Sequence, residues 1–442
     1  MSMRSAICLF FLFFLPAGAV YAGGQFNVQC AYSHTLPDDA IIYPGQPGRA
    51  MVHDFFGNTG ADAYSTYYSL NNNKVTTCDV AADLSSYWVP QLKRASGIVV
   101  PGYQKTYYKN DQPVIPLQTI PAGLEMLAGD HRSSTPKPQI NYLCRGGSYT
   151  QIAPTNCPVV TDSKGTYAQL NISVHFPDCW DGRTLVPNMA SHIMNMAYRQ
   201  SDGKCPAAYP VKIPELQLNV AYDLGQDPDL STAQLSMDPI LVNGTWMPQW
   251  GSLYTAHGDF INAWKADSLQ YAIDNCSNQD IACSNSIPTY YSKAGADAWM
   301  DGGGVVHASD ATLTSDGGSV VLIKFPTPTN LKDYPYTSSF LQTLAQNVTD
   351  TDPVMLDIYA ASTNWDDTAN LPAATACNTS KRIGGIYLDN ALQPRNSDIT
   401  GYVASQVSAG APQIGVCIRN ATGRTVQISS RDGTRTPGLF MK

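Results

Sequence analysis

Charge is scarce in this chain. Charged residues fill only 14% of its 442 positions, and no run of Lys or Arg exceeds two. Nucleic-acid binding needs clustered cations to displace counterions along the phosphate backbone, so nucleic acid is not an expected partner. Past the N-terminus no apolar stretch approaches ~18 residues, which argues against a membrane-inserted helix. There is no GxSxG elbow, HExxH, Walker loop, GxGxxG or Cys-x-x-Cys pair. Those gaps count against serine hydrolase, zincin, nucleotide, dinucleotide, zinc-ribbon and thioredoxin-like chemistry. No repeat of 20–50 residues recurs, so solenoids are not expected.

What is present points outward from the cell. Arg4, the apolar run Ile7 to Leu15 and the small-residue site Val20-Tyr21-Ala22 predict a secretory signal over residues 1–22. Of 11 cysteines, Cys8 lies in that segment. The remaining even number fits disulfides formed in an oxidising compartment. Sequence leaves the connectivity open, although Cys144–Cys157, Cys276–Cys283 and Cys377–Cys417 are near enough to suggest local pairs. The expected localisation is secreted or extracellular, with the periplasm as the other oxidising option.

Abundant Tyr, Gly and Pro indicate a loop-rich β protein rather than a helical bundle. Strands are expected at Ile98 to Val100, Gln169 to His175 and Gln217 to Tyr222. After Gly302-Gly303-Gly304 they are expected at Ser319 to Phe325, Val354 to Ala361, Gly385 to Leu388, Gln413 to Ile418 and Thr425 to Ser429. Two helices are expected, Met189 to Arg199 and Asp259 to Asn275, the second capped by Asp259. The expected fold is mainly β, a loop-rich, disulfide-stapled sandwich or jelly-roll-like core with a few short helices and a C-terminal β region. The expected domains are a motif-bearing core over 23–304 and a β-rich domain over 305–442.

Six aromatic-and-Gly motifs gather the scarce chemistry: VHDFFGN (52–58), DLSSYWVPQL (83–92), IPAGLEML (120–127), HFPDCWDG (175–182), CPAAYPVKIPEL (205–216) and AHGDFINAW (256–264). On an extended segment, residues i and i+2 share a side, so His257 and Asp259 can converge with Gly258 admitting a ligand or backbone. A His beside a carboxylate can do acid–base work near neutral pH. The competing reading is a helix-capping Asp and an exposed loop His. His53 and Asp54 beside two Phe suggest a pocket wall, or else a core histidine. Trp180 could stack a sugar ring and Asp181 act as acid, base or hydroxyl acceptor, while Asp-Gly at 181–182 also reads as a plain turn. His34, His131 and His307 have no supporting context.

The ordered motif set resembles a secreted family catalogued as a domain of unknown function (number nineteen-ninety-six), present in fungi and bacteria. Its pattern is H-x-H, D-x-S-x-YW-x-P-x-L, P-x-GL-x-M, FP-x-CWDG, a Ser-His pair, CP-x-x-x-PV-x-IP-x-L and HGDF-x-N-x-W. This chain matches at His53, Asp83 to Leu92, Pro121 to Met126, Phe176 to Gly182, Ser191-His192, Cys205 to Leu216 and His257 to Trp264. Met51 stands where the family has the first His of H-x-H. That loss makes a two-nitrogen metal site on this strand less expected, and no cofactor is expected. Some relatives look like secreted proteins fused to carbohydrate-binding modules, which implies contact with polysaccharide.

The expected function is action on extracellular polysaccharide as a glycoside hydrolase or lyase. The expected catalytic residues are His53, His192, His257, Asp259 and Asp181. The expected substrate contacts are Asp54, Trp88, Trp180, Arg183 and Trp264. The alternative is a non-catalytic glycan-binding or adhesion protein. Convergence of the His and Asp candidates in one cleft separates the two.

Overall fold

The computed structural model describes residues 23–111, 116–334, 336–366, 376–433 and 435–442. The expected signal segment, 1–22, lies outside the described residues. The chain is mainly β, with 45% strand and 8% helix. Among the described residues no helix is long and apolar enough to cross a membrane.

The N-terminal half is organised by one antiparallel sheet. Its strand order is Glu125–Gly129, His257–Ile261, Ser86–Pro90, His53–Gly57, Gly24–Leu36, Tyr103–Asn110, Glu215–Gly225, Gly165–His175 and Ile140–Cys144, with Val160–Asp162 pairing beside Gly165–His175. Gly24–Leu36 pairs through residues 24–31 with Tyr103–Asn110 and through 32–36 with His53–Gly57. A register irregularity between Tyr32 and His34 marks where it changes partner; a bulge bends a strand in this way and lets a sheet fold over itself. The two halves then face each other. A Cβ on Gly258 would come within 3.2 Å of Leu218 and 3.5 Å of Val174, so this glycine admits the opposite wall of the core.

Period-two alternation sorts the motif residues between two faces. Phe56, Tyr87 and Phe260 point into the core between the sheet halves. Phe55, Trp88 and Ile261 belong to a second apolar cluster on the other face. His53, His257 and Asp259 share the parity of that second set.

The C-terminal part is a β-sandwich. One sheet runs Tyr290–Lys293, Gly438–Met441, Ser339–Asn347, Val426–Ser429 and Thr312–Ser315, with Gln393–Asp398 alongside Ser339–Asn347. The other runs Val306–His307, Ala296–Met300, Val320–Pro326, Gln413–Arg419, Val354–Ala361 and Cys377–Leu388. Their facing side chains, including Leu341, Ile428, Ile323 and Val416, form one buried cluster. Strands before Gly302 already belong to these sheets.

Five disulfides staple the chain: Cys30–Cys78, Cys144–Cys157, Cys179–Cys205, Cys276–Cys283 and Cys377–Cys417. The three local pairs expected from sequence are among them.

Two helix expectations are corrected. Residues 189–199 form no helix. Asn188 and Ile193 close a tight turn through mutual backbone hydrogen bonds, and Met196–Ala197 pairs with Cys179–Trp180. The second helix spans Ala266–Asn275 and begins after Lys265. Asp259 is not its cap, because residues 257–261 are hydrogen-bonded on both sides to neighbouring strands.

Candidate functional site

His53 and His257 meet above a gap that the sheet register creates. Asp259 pairs with Trp88, and two residues along that middle strand Pro90 pairs with His53. The compact Pro90 lets rings from the two flanking strands approach. Their centroids lie 5.8 Å apart at 90°. On the outer side, His257 pairs with Gly129, whose φ is +94°. A Cβ there would sit 2.6 Å from His257 Cα, so only glycine fits beside this histidine.

Each imidazole is oriented from behind. His53 Nδ1 lies 2.9 Å from the Asp38 carbonyl, and His257 Nδ1 lies 2.9 Å from the Thr255 carbonyl. A carbonyl only accepts, so Nδ1 carries the hydrogen and Nε2 keeps its lone pair. His53 Nε2 and Asp259 Oδ2 are buried without a hydrogen-bond partner. One ligand atom from each of His53, His257 and Asp259 lies within 4.8 Å of the others.

The electrostatics follow from burial. Desolvation lowers His53 to about 4 and, aided by the His53 charge, lowers His257 to about 4. Both rings are therefore neutral at pH 7. Asp259 is pushed well above the ordinary carboxyl range by burial and then by the charges of Asp39 and Asp238. Asp39 is also raised by burial, against the backbone N–H groups of Ile42 and Ile41. Asp238 accepts from the Met51 N–H and the Tyr43 hydroxyl.

Of these side chains, His257, Asp259, Asp39 and Asp238 line a cleft of about 730 Å³, and His53 is buried beside His257, outside that lining. His257 and Asp259 line its floor, with Asp39 and Asp238 on one side and His131 and His192 on others. His131 stands 6.1 Å from His257, ring to ring, and its Nε2 accepts from Arg132 Nε. His192 adopts a left-handed φ of +55°, a conformation uncommon outside glycine. Met51, Met189, Met194 and Met196 give the wall an adaptable apolar lining.

The structure thus brings together His53, His257, Asp259 and His192, and it does not bring the other candidates with them. Asp181 turns away to accept the backbone N–H groups of Arg183 and Thr184. Arg183 is solvent-exposed beside it, and the Trp180 indole donates to the Thr184 carbonyl. Trp264 is 1% exposed and ends a buried chain: its Nε1 donates to Tyr108, whose hydroxyl meets Tyr87, which donates to Asp83. Trp88 is equally buried, in the layer with Phe55. Neither indole presents a face to a glycan. Asp54 points to the opposite face from His53 and accepts from Thr35.

Three groups at the cleft were missed from sequence. Asp39, Asp238 and His131 come from separate loops or strands and carry no spacing that ties them to the motifs. The FPDCWDG motif has a structural centre instead, since the buried Asp178 carboxylate pairs with Lys212 and Arg199. The Cys179–Cys205 bond joins the same two motifs covalently.

Residues 39–264 match a family described as a domain of unknown function, DUF1996. Residues 288–442 match carbohydrate-binding module family 96. No curated protein matches the chain.

Proposed function

The chain belongs to the family described as a domain of unknown function, DUF1996, and from that premise we infer that it is a secreted carbohydrate-active enzyme. The C-terminal module supports interaction with polysaccharide. The five disulfides and that module are consistent with an extracellular protein. In this reading the module holds the polymer and the N-terminal cleft acts on it by hydrolysis or elimination.

One observation carries the reading: two imidazole nitrogens and a carboxylate oxygen converge within 4.8 Å at the cleft, with His53 Nε2 and Asp259 Oδ2 lacking partners. Most buried polar atoms have a hydrogen-bond partner, so two without one on adjoining side chains at a cleft call for a bound group to complete them. Lone pairs held by fixed tautomers accept a proton or an electrophile without reorganisation. The apolar methionine wall with a few convergent polar groups is the usual make-up of a small-ligand site.

The test is activity of the mature, disulfide-intact protein on a polysaccharide panel, reading reducing ends and unsaturated-uronate absorbance together. New reducing ends alone assign a hydrolase, and added absorbance assigns a lyase. Binding to a glycan with no product from any polymer overturns the enzyme reading in favour of an adhesion or binding protein.

A further inference from the structure

We propose that His53 Nε2, His257 Nε2 and an Asp259 oxygen bind one divalent first-row transition-metal ion at the cleft floor. The proposal deepens the reading of this cleft as a reacting centre and rests on it.

Three features of the chain point to a cation. The first is the form of the donor set. Metal-binding histidines characteristically direct their second nitrogen to a backbone carbonyl or carboxylate, which fixes the tautomer. His53 and His257 both do so, through the carbonyls of Asp38 and Thr255. The second is that two of the three converging side chains carry a buried polar atom without a hydrogen-bond partner, His53 at Nε2 and Asp259 at Oδ2. The third is charge. Asp39, Asp238 and Asp259 all face the cleft. The cationic side chain in its lining, Arg132, is exposed and engaged with His131. A divalent ion would add positive charge beside these carboxylates, with which Arg132 forms no ion pair.

The geometry sets the ion's class and role. Bonds of about 2.0–2.1 Å to nitrogen and oxygen place tetrahedral ligand atoms roughly 3.4 Å apart. The three donors, within 4.8 Å of one another, reach that spacing by closing up by at most about 1.4 Å. Two imidazoles select a borderline metal over calcium or magnesium, which take oxygen sets. Three protein ligands beneath an open cleft leave positions for water or a glycan oxygen, which is the pattern of a catalytic rather than a structural site. Asp39 and Asp238 are held by hydrogen bonds from Ile41, Ile42, Met51 and Tyr43. The proposed ligand set is therefore the three convergent side chains, with these two carboxylates adding negative field around the ion. Residue 51 is Met, and the nitrogen that joins His53 comes from His257, two strands away.

The full mature chain is stripped with a chelator, equilibrated with Zn²⁺ or Co²⁺, desalted and assayed for bound metal by mass spectrometry. The expected result is about one ion per chain, with cobalt giving a visible ligand-field band. His257→Gln and Asp259→Asn each weaken binding by more than about 100-fold. Near-ultraviolet dichroism in chelator verifies the fold of each variant; should either misfold, His53→Gln is the replacement. His307→Gln is the control, because His307 sits beside Asp301 and Asp310 in the C-terminal sandwich. Retained binding in the cleft variants, or loss only in H307Q, overturns the proposal. Far less than one ion per chain does so too. Metal uptake without activity on any glycan leaves the site standing and removes the enzyme reading. Glycan cleavage by protein that takes up no metal does the reverse.

Discussion

His53 and His257 stand edge to face, their ring centroids 5.8 Å apart, although 203 residues of chain separate their positions. Each is fixed by a backbone carbonyl, so the pair is set by the sheet rather than by substrate. Asp259→Asn and His257→Gln should therefore cut turnover on the identified polysaccharide by on the order of 10²–10⁴. Thermal stability in chelator should change little or rise for D259N. Steady-state kinetics beside a melting curve checks this, and unchanged turnover in both variants would remove the cluster from the chemistry.

Asp54 offers a pH-dependent prediction away from the cleft. Burial raises its carboxyl from 3.8 to about 6, against the hydrogen bond from Thr35. A raised carboxyl keeps its proton in the folded state. Its contribution is fully favourable below pH 3.8 and is lost as pH rises through about 6. Above that window the buried charge costs on the order of 3 kcal/mol. Asp54→Asn keeps an acceptor for Thr35 and removes the ionisation. Its stability relative to the parent should rise between pH 4 and 8, measured by urea unfolding at each pH. A flat difference would sink the assignment.

Trp264 closes a buried hydrogen-bond chain rather than a sugar platform. Trp264→Phe should cost about 1–3 kcal/mol by leaving Tyr108 without its indole donor and opening a small void. Glycan affinity of the folded variant should be unchanged. A selective loss of glycan binding with full stability would restore Trp264 to a ligand site.

Lys212 neutralises the buried Asp178 from the next motif. Lys212→Met should destabilise by about 3 kcal/mol, because a carboxylate is left with Arg199 alone. The double variant with Asp178→Asn should recover part of that loss. Denaturant titration of the three variants measures the coupling, and additive effects would show that the pair is not coupled.

Much of the fold was legible because alternation and turn residues are local. Val354–Ala361 emerged with its expected bounds, and the runs at 169–175 and 217–222 lie inside longer strands. The motif at 256–264 was harder. Its apolar spacing resembles a helix, but Ser86–Pro90 and Glu125–Gly129 hold residues 257–261 as strand, a tertiary decision that local periodicity cannot see.

The cleft was legible in part for the same reason. His257 and Asp259 share parity on one strand, which the i, i+2 rule exposes. Their meeting with His53 depends on the register of a third strand that lies between them. Asp181 and Trp180 looked equally chemical in sequence. Their side chains instead satisfy the turn at 181–184, which only the backbone path reveals. His131 had no neighbouring signal, and the turn after Gly129 brings it to the cleft.

The floor of the cleft and its walls belong to different kinds of structure. The donors sit on interior strands with neighbours on both sides, whereas much of the wall comes from the 37–50 and 177–199 segments, the latter tethered by Cys179–Cys205. Specificity and reactivity are thereby separable traits: exchanging the 186–194 turn would reshape what the cleft admits without disturbing the three donors. That makes the turn the natural position for a focused library against new polymers.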